Sequence, residues 1–285
     1  MSLPIDQGDL FALDSPLLKE VRGERSLMAF PFFALSKGKW TKPLAYKTES
    51  VSIEIVATPK GVATIYDKEV LLYIASLMVA KLEAGLKADQ DFYFTAHDLF
   101  RVTGDGGSAR SYARLSDALE RLQGTQIKTN IEAGGEGQAG FFSWLSDAQL
   151  QYTKTKGGDK RLKAVKVRLC DWLYRAILRD RRVLAYAPTY FTLGPVERRL
   201  YEVARSTCVD GAVEVDIEEL RLQLGYQSPL KSFRFEMKRI ADDNAIPDFS
   251  FELVDDQAEV PKGRARRKAG ATRVRITPLA LLASS

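Results

Sequence analysis

The sequence predicts an α+β protein of two tandem winged-helix domains, each a helix-turn-helix followed by a β-wing, and three observations predict it. The chain's 285 residues exceed one small domain and suit two, since domains commonly run to about 100–150 residues. Capped amphipathic segments follow one another as helix, short strand, helix, turn, helix, and alternating segments that read as antiparallel strands come next. That series occurs once in each half of the chain, without a literal sequence repeat.

Residues 1–42 lack sustained periodicity and read as a partly ordered arm that docks a few apolar side chains. The first unit is expected over 43–180. Alternation from Val51 to Val56 predicts a half-buried strand, and Pro59-Lys60-Gly61 supplies the turn after it. A long helix should run from Asp67, as N-cap, to about Ala84, with Gly85 past its end. A short strand follows at Phe92 to Phe94, then a small helix capped by Thr95. After the turn at Gly104 to Gly107, Ser108 can cap a helix reaching Leu122 and closed by Gly124. Thr125 to Ile131, parts of Gln138 to Tyr152, and Leu162 to Leu169 alternate as strands, separated at Gly134-Gly135 and Gly157-Gly158.

The second unit is expected over 181–285. Asp171 to Arg179 reads as a linking helix ahead of it, and Pro195 to Ser206 as its first helix, with Pro at a tolerated early position. Val213 to Val215 is a short strand. Asp216 caps the helix Ile217 to Leu224, which stops at Gly225, and Ser228-Pro229 opens a further helix to about Asp243, with Ser as N-cap. Ile246 to Leu253 and Arg273 to Ile276 alternate as strands, and the basic stretch Lys262 to Lys268 lies between them.

A hydrophobic share of 45% supports packed cores and argues against a disordered chain. The net charge of +5 suits a folded protein with basic patches, and suits ordinary solubility equally. Cys170 and Cys208 fall in segments that read as core, with no zinc or disulfide spacing, which fits a reducing cytoplasm. The acidic start MSLPIDQGDLFALD argues against export. The run Leu71 to Ala80 is about half the length of a membrane span and reads as a buried helix, so no membrane is expected.

The chain holds a single histidine, His97, which leaves no His-rich metal cluster and no ordinary hydrolytic triad. His97 itself reads as structural, next to the cap at Thr95. No GxxxxGK[ST] string occurs, and Gly104 to Gly107 lacks the spacing and lysine of a phosphate loop. Neither a cofactor nor catalysis is expected.

In a helix-turn-helix the second short helix enters the major groove, so its outer face must combine cations for phosphates with small polar groups for base edges. On the helix from Ser108, the residues Tyr112, Leu115, Leu119 and Leu122 form the core stripe. Arg110, Arg114, Asp117 and Arg121 line another face, with Ser108 and Ser111 near the start. The same spacing suits a solvated face with ion pairs. On the helix from Ser228, the residues Leu230, Phe233, Met237 and Ile240 face inward. Lys231, Arg234, Lys238 and Arg239 emerge opposite, against one acid, Glu236. Arg234 is the leading candidate for a guanine contact, Lys231 and Lys238 for phosphates, and Ser228 and Ser232 for oxygens near the helix start. Lys262, Arg264, Arg266, Arg267 and Lys268 belong to a basic loop that reads as a wing along the backbone or minor groove, or as a flexible tract.

With these pieces placed, the chain resembles the replication initiator protein A family of plasmid-borne initiators. The strings that carry the resemblance begin with Ser26-Leu27-Met28-Ala29-Phe30-Pro31-Phe32-Phe33-Ala34-Leu35-Ser36-Lys37, Ala63-Thr64-Ile65-Tyr66-Asp67-Lys68-Glu69-Val70-Leu71 and Phe94-Thr95-Ala96-His97-Asp98-Leu99. They continue with Leu115 to Thr125, Leu169 to Leu173, Glu197 to Arg205 and Leu230-Lys231-Ser232-Phe233-Arg234. The resemblance implies a protein that binds repeated sites, or iterons, in double-stranded plasmid origin DNA, helps open the duplex, and recruits the host initiator and replicative helicase. It also implies that the C-terminal unit binds the repeat, while the N-terminal unit adds backbone contacts or pairs copies into a homodimer. The location implied is the cytoplasm, on the plasmid. A transcriptional repressor of the same fold would show the same residues. A rolling-circle nicking enzyme would need paired histidines that this chain lacks.

Overall fold

The computed structural model describes residues 13–137, 139–154, 160–255 and 272–282. The chain begins with β1 (Arg22–Glu24), α1 (Arg25–Ala29), β2 (Leu44–Lys47) and β3 (Ser52–Val56). Next come α2 (Lys68–Glu83), β4 (Asp91–Phe94), α3 (Ala96–Thr103) and α4 (Ala109–Gly124). Strands β5 (Gln126–Thr129), β6 (Leu145–Lys154) and β7 (Lys160–Leu169) follow. α5 (Asp171–Arg175) runs into a π-helical turn, Ala176–Asp180, before β8 (Val183–Ala185) and a 3-10 turn, Pro188–Thr192. The second half then contains α6 (Pro195–Thr207), β9 (Val213–Asp216), α7 (Ile217–Leu224) and α8 (Leu230–Asp243). It closes with β10 (Phe249–Asp255), β11 (Thr272–Pro278) and α9 (Leu279–Leu282).

The fold is thus mixed α and β, and its two halves repeat one topology. β4, β7 and β6 form an antiparallel sheet in that order, with Phe92 opposite Val167 and Phe94 opposite Val165. β9, β11 and β10 form its counterpart, with Ile276 opposite both Val213 and Phe251. In each half the last strand lies between its hairpin partner and the short strand ahead of the second helix. The first half adds a sheet ordered β2, β3, β5, and β1 pairs with β8 across the two halves.

Local sequence chemistry sets several helix starts. The Thr95 hydroxyl accepts from Asp98 N at 3.1 Å, and Asp216 accepts from Glu218 N at 2.8 Å and Glu219 N at 3.2 Å. Ser108 and Ser111 close α4 in a reciprocal capping box, and each arrangement satisfies amide donors that a helix start leaves orphaned. Two expected caps differ. Asp67 makes no cap bond to α2; it accepts from Thr64 N at 2.7 Å and is gripped by both Arg121 Nε and Nη2 at 2.7 Å. Ser228 is not the cap of α8 either. Pro229 holds that position in extended backbone with no side-chain bond, so the helix opens at Leu230.

Apolar burial divides into two cores. In the first, Phe33 stacks on Trp144 at 5.3 Å and Phe142 on Trp172 at 6.0 Å. The second gathers Leu200, Leu220, Phe233, Met237, Ile240, Val274 and Ile276, together with Met28 and Leu72 from the first half. Every residue of α2 from Val70 to Val79 is buried, as a helix apolar on all sides must be. Residues 22–35, which lack periodicity, are packed rather than loose: Leu27, Phe32 and Phe33 enter one core and Met28 the other.

Charge is also buried where the halves meet. Lys68 of α2 donates to Glu202 of α6 at 2.6 Å and to the Leu27 carbonyl at 2.7 Å. Tyr186 and Tyr190 donate to the same Glu202 oxygen at 3.0 and 2.8 Å. Arg199 donates to the carbonyls of Met28, Ala29 and Gln223 and to Glu202. Next to it, Arg198 pairs with Glu69 at 2.6 Å and lies 4.3 Å from the Tyr66 ring centroid. Burial pushes the Lys68 ammonium down to about 8 and lifts the Tyr186 and Tyr190 phenols well above their ordinary range.

Removing one member of such a set strands the others in a low-dielectric site, at a cost of about 3–5 kcal/mol. Glu202→Ala should therefore lose about that much in urea unfolding, and Lys68→Met combined with Glu202→Gln should recover part of the loss. The folded state also releases the Lys68 proton near pH 8, whereas an exposed lysine holds it to about 10.4. The unfolded chain binds the extra proton across that window, so the Lys68 contribution to stability grows as pH rises through it and shrinks as pH falls to 8. Urea midpoints of wild type should accordingly rise relative to Lys68→Met between about pH 8 and 10.4.

Candidate nucleic-acid interface

α7 and α8 meet through a turn that Gly225 makes possible. Gly225 adopts φ +72°, and a Cβ there would come within 2.7 Å of Pro31 Cβ. Arg221, in the last turn of α7, donates to the carbonyls of Tyr226 and Ser228 at 3.2 Å, as a cation near a helix C-terminus can. α8 then leaves the turn with Phe233, Met237 and Ile240 in the core.

In the turn ahead of α8 Ser228 is exposed; on the helix Lys231, Ser232, Lys238 and Arg239 are exposed and Arg234 is half-buried. Lys231, Arg234 and Lys238 make no ion pair within 4 Å among the described residues. The Arg234 Nε is buried and has no hydrogen-bond partner among the described residues. Hydrogen bonds from Arg221 hold the Glu218 carboxyl below its usual range, with a further contribution from the Arg234 charge. Arg239 behaves differently. It pairs with Glu197 at 2.7 Å, Glu236 at 3.0 Å and Asp243 at 2.8 Å. The sequence opposed Glu236 alone to this face; Glu197 arrives from α6 through tertiary packing.

On α4 the acids take up more of the cations. Arg121 is held by Asp67, and Arg114 donates to Asp105 at 2.5 Å. Burial works against the Asp105 carboxylate, yet bonds from Ser111 and Arg114 hold it below its usual range. Ser108 and Ser111 serve the helix start. Tyr112, expected in the core stripe, is 39% exposed and meets Phe100 edge-on at 5.2 Å; Ser111 and Ala118 are buried on the inner face. Arg110 is exposed and without an ion pair among the described residues. The polar face of α4 lines a cleft of about 900 Å³ that also includes Lys37, Lys39, Lys60 and Tyr66. The basic loop residues Lys262, Arg264, Arg266, Arg267 and Lys268 lie outside the described residues.

Sequence reasoning missed two residues at this surface. Arg221 carried a signal, a cation in the last turn before a glycine stop. Phe235 carried another, an apolar side chain opposite the core stripe of α8, and it is 75% exposed.

The architecture is that of known proteins. The structure superposes on domains 2 and 3 of RctB with a TM-score of 0.59, at 13% identity, covering 88% of this chain and 94% of that one. A second structure of RctB domains 2-3 gives 0.53 at 12% identity, covering 89% and 96%. A protein of Wigglesworthia glossinidia brevipalpis named "Putative replication protein" is 31% identical over 245 residues, covering 85% of this chain and 88% of its own length. A relative of that identity and coverage sets the chain among replication proteins. The profile of replication initiator protein A matches residues 22–251, and the chain belongs to that family. No helix among the described residues is long and apolar enough to cross a membrane.

The Asp67 carboxylate is only 4% exposed, so removing its partner should cost stability. Arg121→Ala should lower unfolding free energy by about 1–3 kcal/mol, as urea melts would report.

Proposed function

We propose that this chain is a plasmid replication initiator that binds repeated sites in origin DNA through two winged-helix units, over 43–180 and 181–285, and then recruits the host initiator and replicative helicase. The observation that carries the reading is the repeated helix, strand, helix, helix, hairpin topology, whose second copy presents Lys231 and Lys238, without an ion pair among the described residues, on an outward helix. A helix so placed can enter a major groove about 12 Å wide while its flanking cations reach phosphates on both walls. α8 is the stronger reader because its Lys231 and Lys238 make no ion pair among the described residues, whereas Arg114 and Arg121 of α4 are bound by Asp105 and Asp67. The N-terminal unit then contributes backbone contacts or pairs copies of the chain. The function is binding, with no chemistry performed on the DNA.

Filter binding to origin DNA at several salt concentrations tests this reading. Lys231→Ala and Lys238→Ala should each reduce the magnitude of the salt slope by about 1, and Arg234→Ala should cost about 1–3 kcal/mol of specific binding. Unchanged slopes in both lysine variants would remove α8 from the interface. A plasmid carrying the gene with its upstream region should replicate autonomously; binding without replication would indicate a repressor. Supercoiled origin DNA incubated with the protein and magnesium should remain unnicked.

A further inference from the structure

We propose that Phe235 reads the 5-methyl group of thymine in the major groove, a sequence-determining contact that rests on the assignment of α8 as the groove-entering helix. At 3.6 residues per turn, Phe235 stands about 160° around α8 from Met237, so it points almost directly away from the core that Met237 fills. It is more exposed than any other aromatic side chain among the described residues. A ring left in water forgoes most of the stabilisation that burial of an apolar side chain provides, and nothing in the second core requires it at this position.

Its surroundings identify the partner. Lys231 and Ser232 lie one turn before Phe235 and Lys238 one turn after, all exposed, and neither lysine has an ion pair among the described residues. The centre of a protein–protein contact is depleted in lysine. A polyanion instead takes an apolar apex between two cations, since the cations meet the phosphate walls while the apex reaches the groove floor. On that floor the thymine methyl is the apolar feature, and the other base edges present donors and acceptors. A phenyl ring set against those edges would desolvate them without offering a hydrogen bond, so it favours T·A over the other pairs.

The probe is a duplex selected from a random 30-base-pair library by the full-length chain, then remade with deoxyuridine replacing thymine one position at a time. Uracil removes the methyl and keeps the Watson–Crick edge. At one or two positions the replacement should weaken wild-type binding by about three- to tenfold, the scale of one buried methyl group. Phe235→Ala should bind the thymine duplex correspondingly less well and be indifferent to uracil at those positions, with an unchanged urea midpoint. Equal uracil sensitivity in wild type and Phe235→Ala would overturn the assignment, and so would insensitivity in both. If Lys231→Ala and Lys238→Ala still flatten the salt slope in those cases, only Phe235 is misassigned. Unchanged slopes, or no enriched sequence from the library, would overturn the α8 reading with it. Light scattering showing that Phe235→Ala dissociates an oligomer while DNA affinity is retained would overturn the proposal in favour of a contact between protein chains.

Discussion

The buried pair of Lys68 and Glu202 is the constraint around which the molecule is assembled. Each comes from the leading helix of its half, and the Leu27 carbonyl of α1 lies against the same ammonium. A short helix leaves its last carbonyls without partners, and here Lys68 and Arg199 supply them. Three charges, those of Lys68, Arg199 and Glu202, and two phenols in one dry site are tolerable only when they are paired with one another. The relative placement of α1, α2 and α6 is therefore specified by chemistry that admits few alternatives, and the apolar cores on either side then fill in around it.

The same economy of charge distinguishes the two helices that could face DNA. On α4 the turn ahead of α2 and the turn after α3 each offer an aspartate, Asp67 and Asp105, and both draw arginines back onto the protein. On α8, among the described residues, only Arg239 is drawn back, by acids of α6 and of its own helix. Two helices with similar stripes of basic residues in sequence thus carry different amounts of available charge once folded.

That difference explains what was legible before the structure. Caps at Thr95, Ser108 and Asp216 were readable because donor and acceptor lie within three residues of one another. The repeated order of helices and strands was readable because alternation and helical spacing are local patterns. Asp67 was misread as a cap because its competing partner, Arg121, lies 54 residues away. Ser228 had the composition of a cap, but the backbone set by Arg221 and Pro229 opens the helix one turn position later. Tyr112 has the spacing of a core residue, yet the inner face of α4 narrows at Ser111, whose buried hydroxyl serves Asp105. The roles of residues 22–35 were hidden because their partners come from both halves and impose no period on the segment.

The second core carries an implication for how the chain can be divided. Met28 and Leu72 belong to it although they precede it in sequence by more than a hundred positions, and Pro31 closes against Gly225 at the turn before α8. A recombinant fragment starting at Arg181 would keep every residue of α8 and yet lack the side chains that complete its supporting wall. Evolutionary shuffling or laboratory grafting of this half onto another scaffold must carry the Met28–Pro31 strap along with it, because the portable element is discontinuous in the gene.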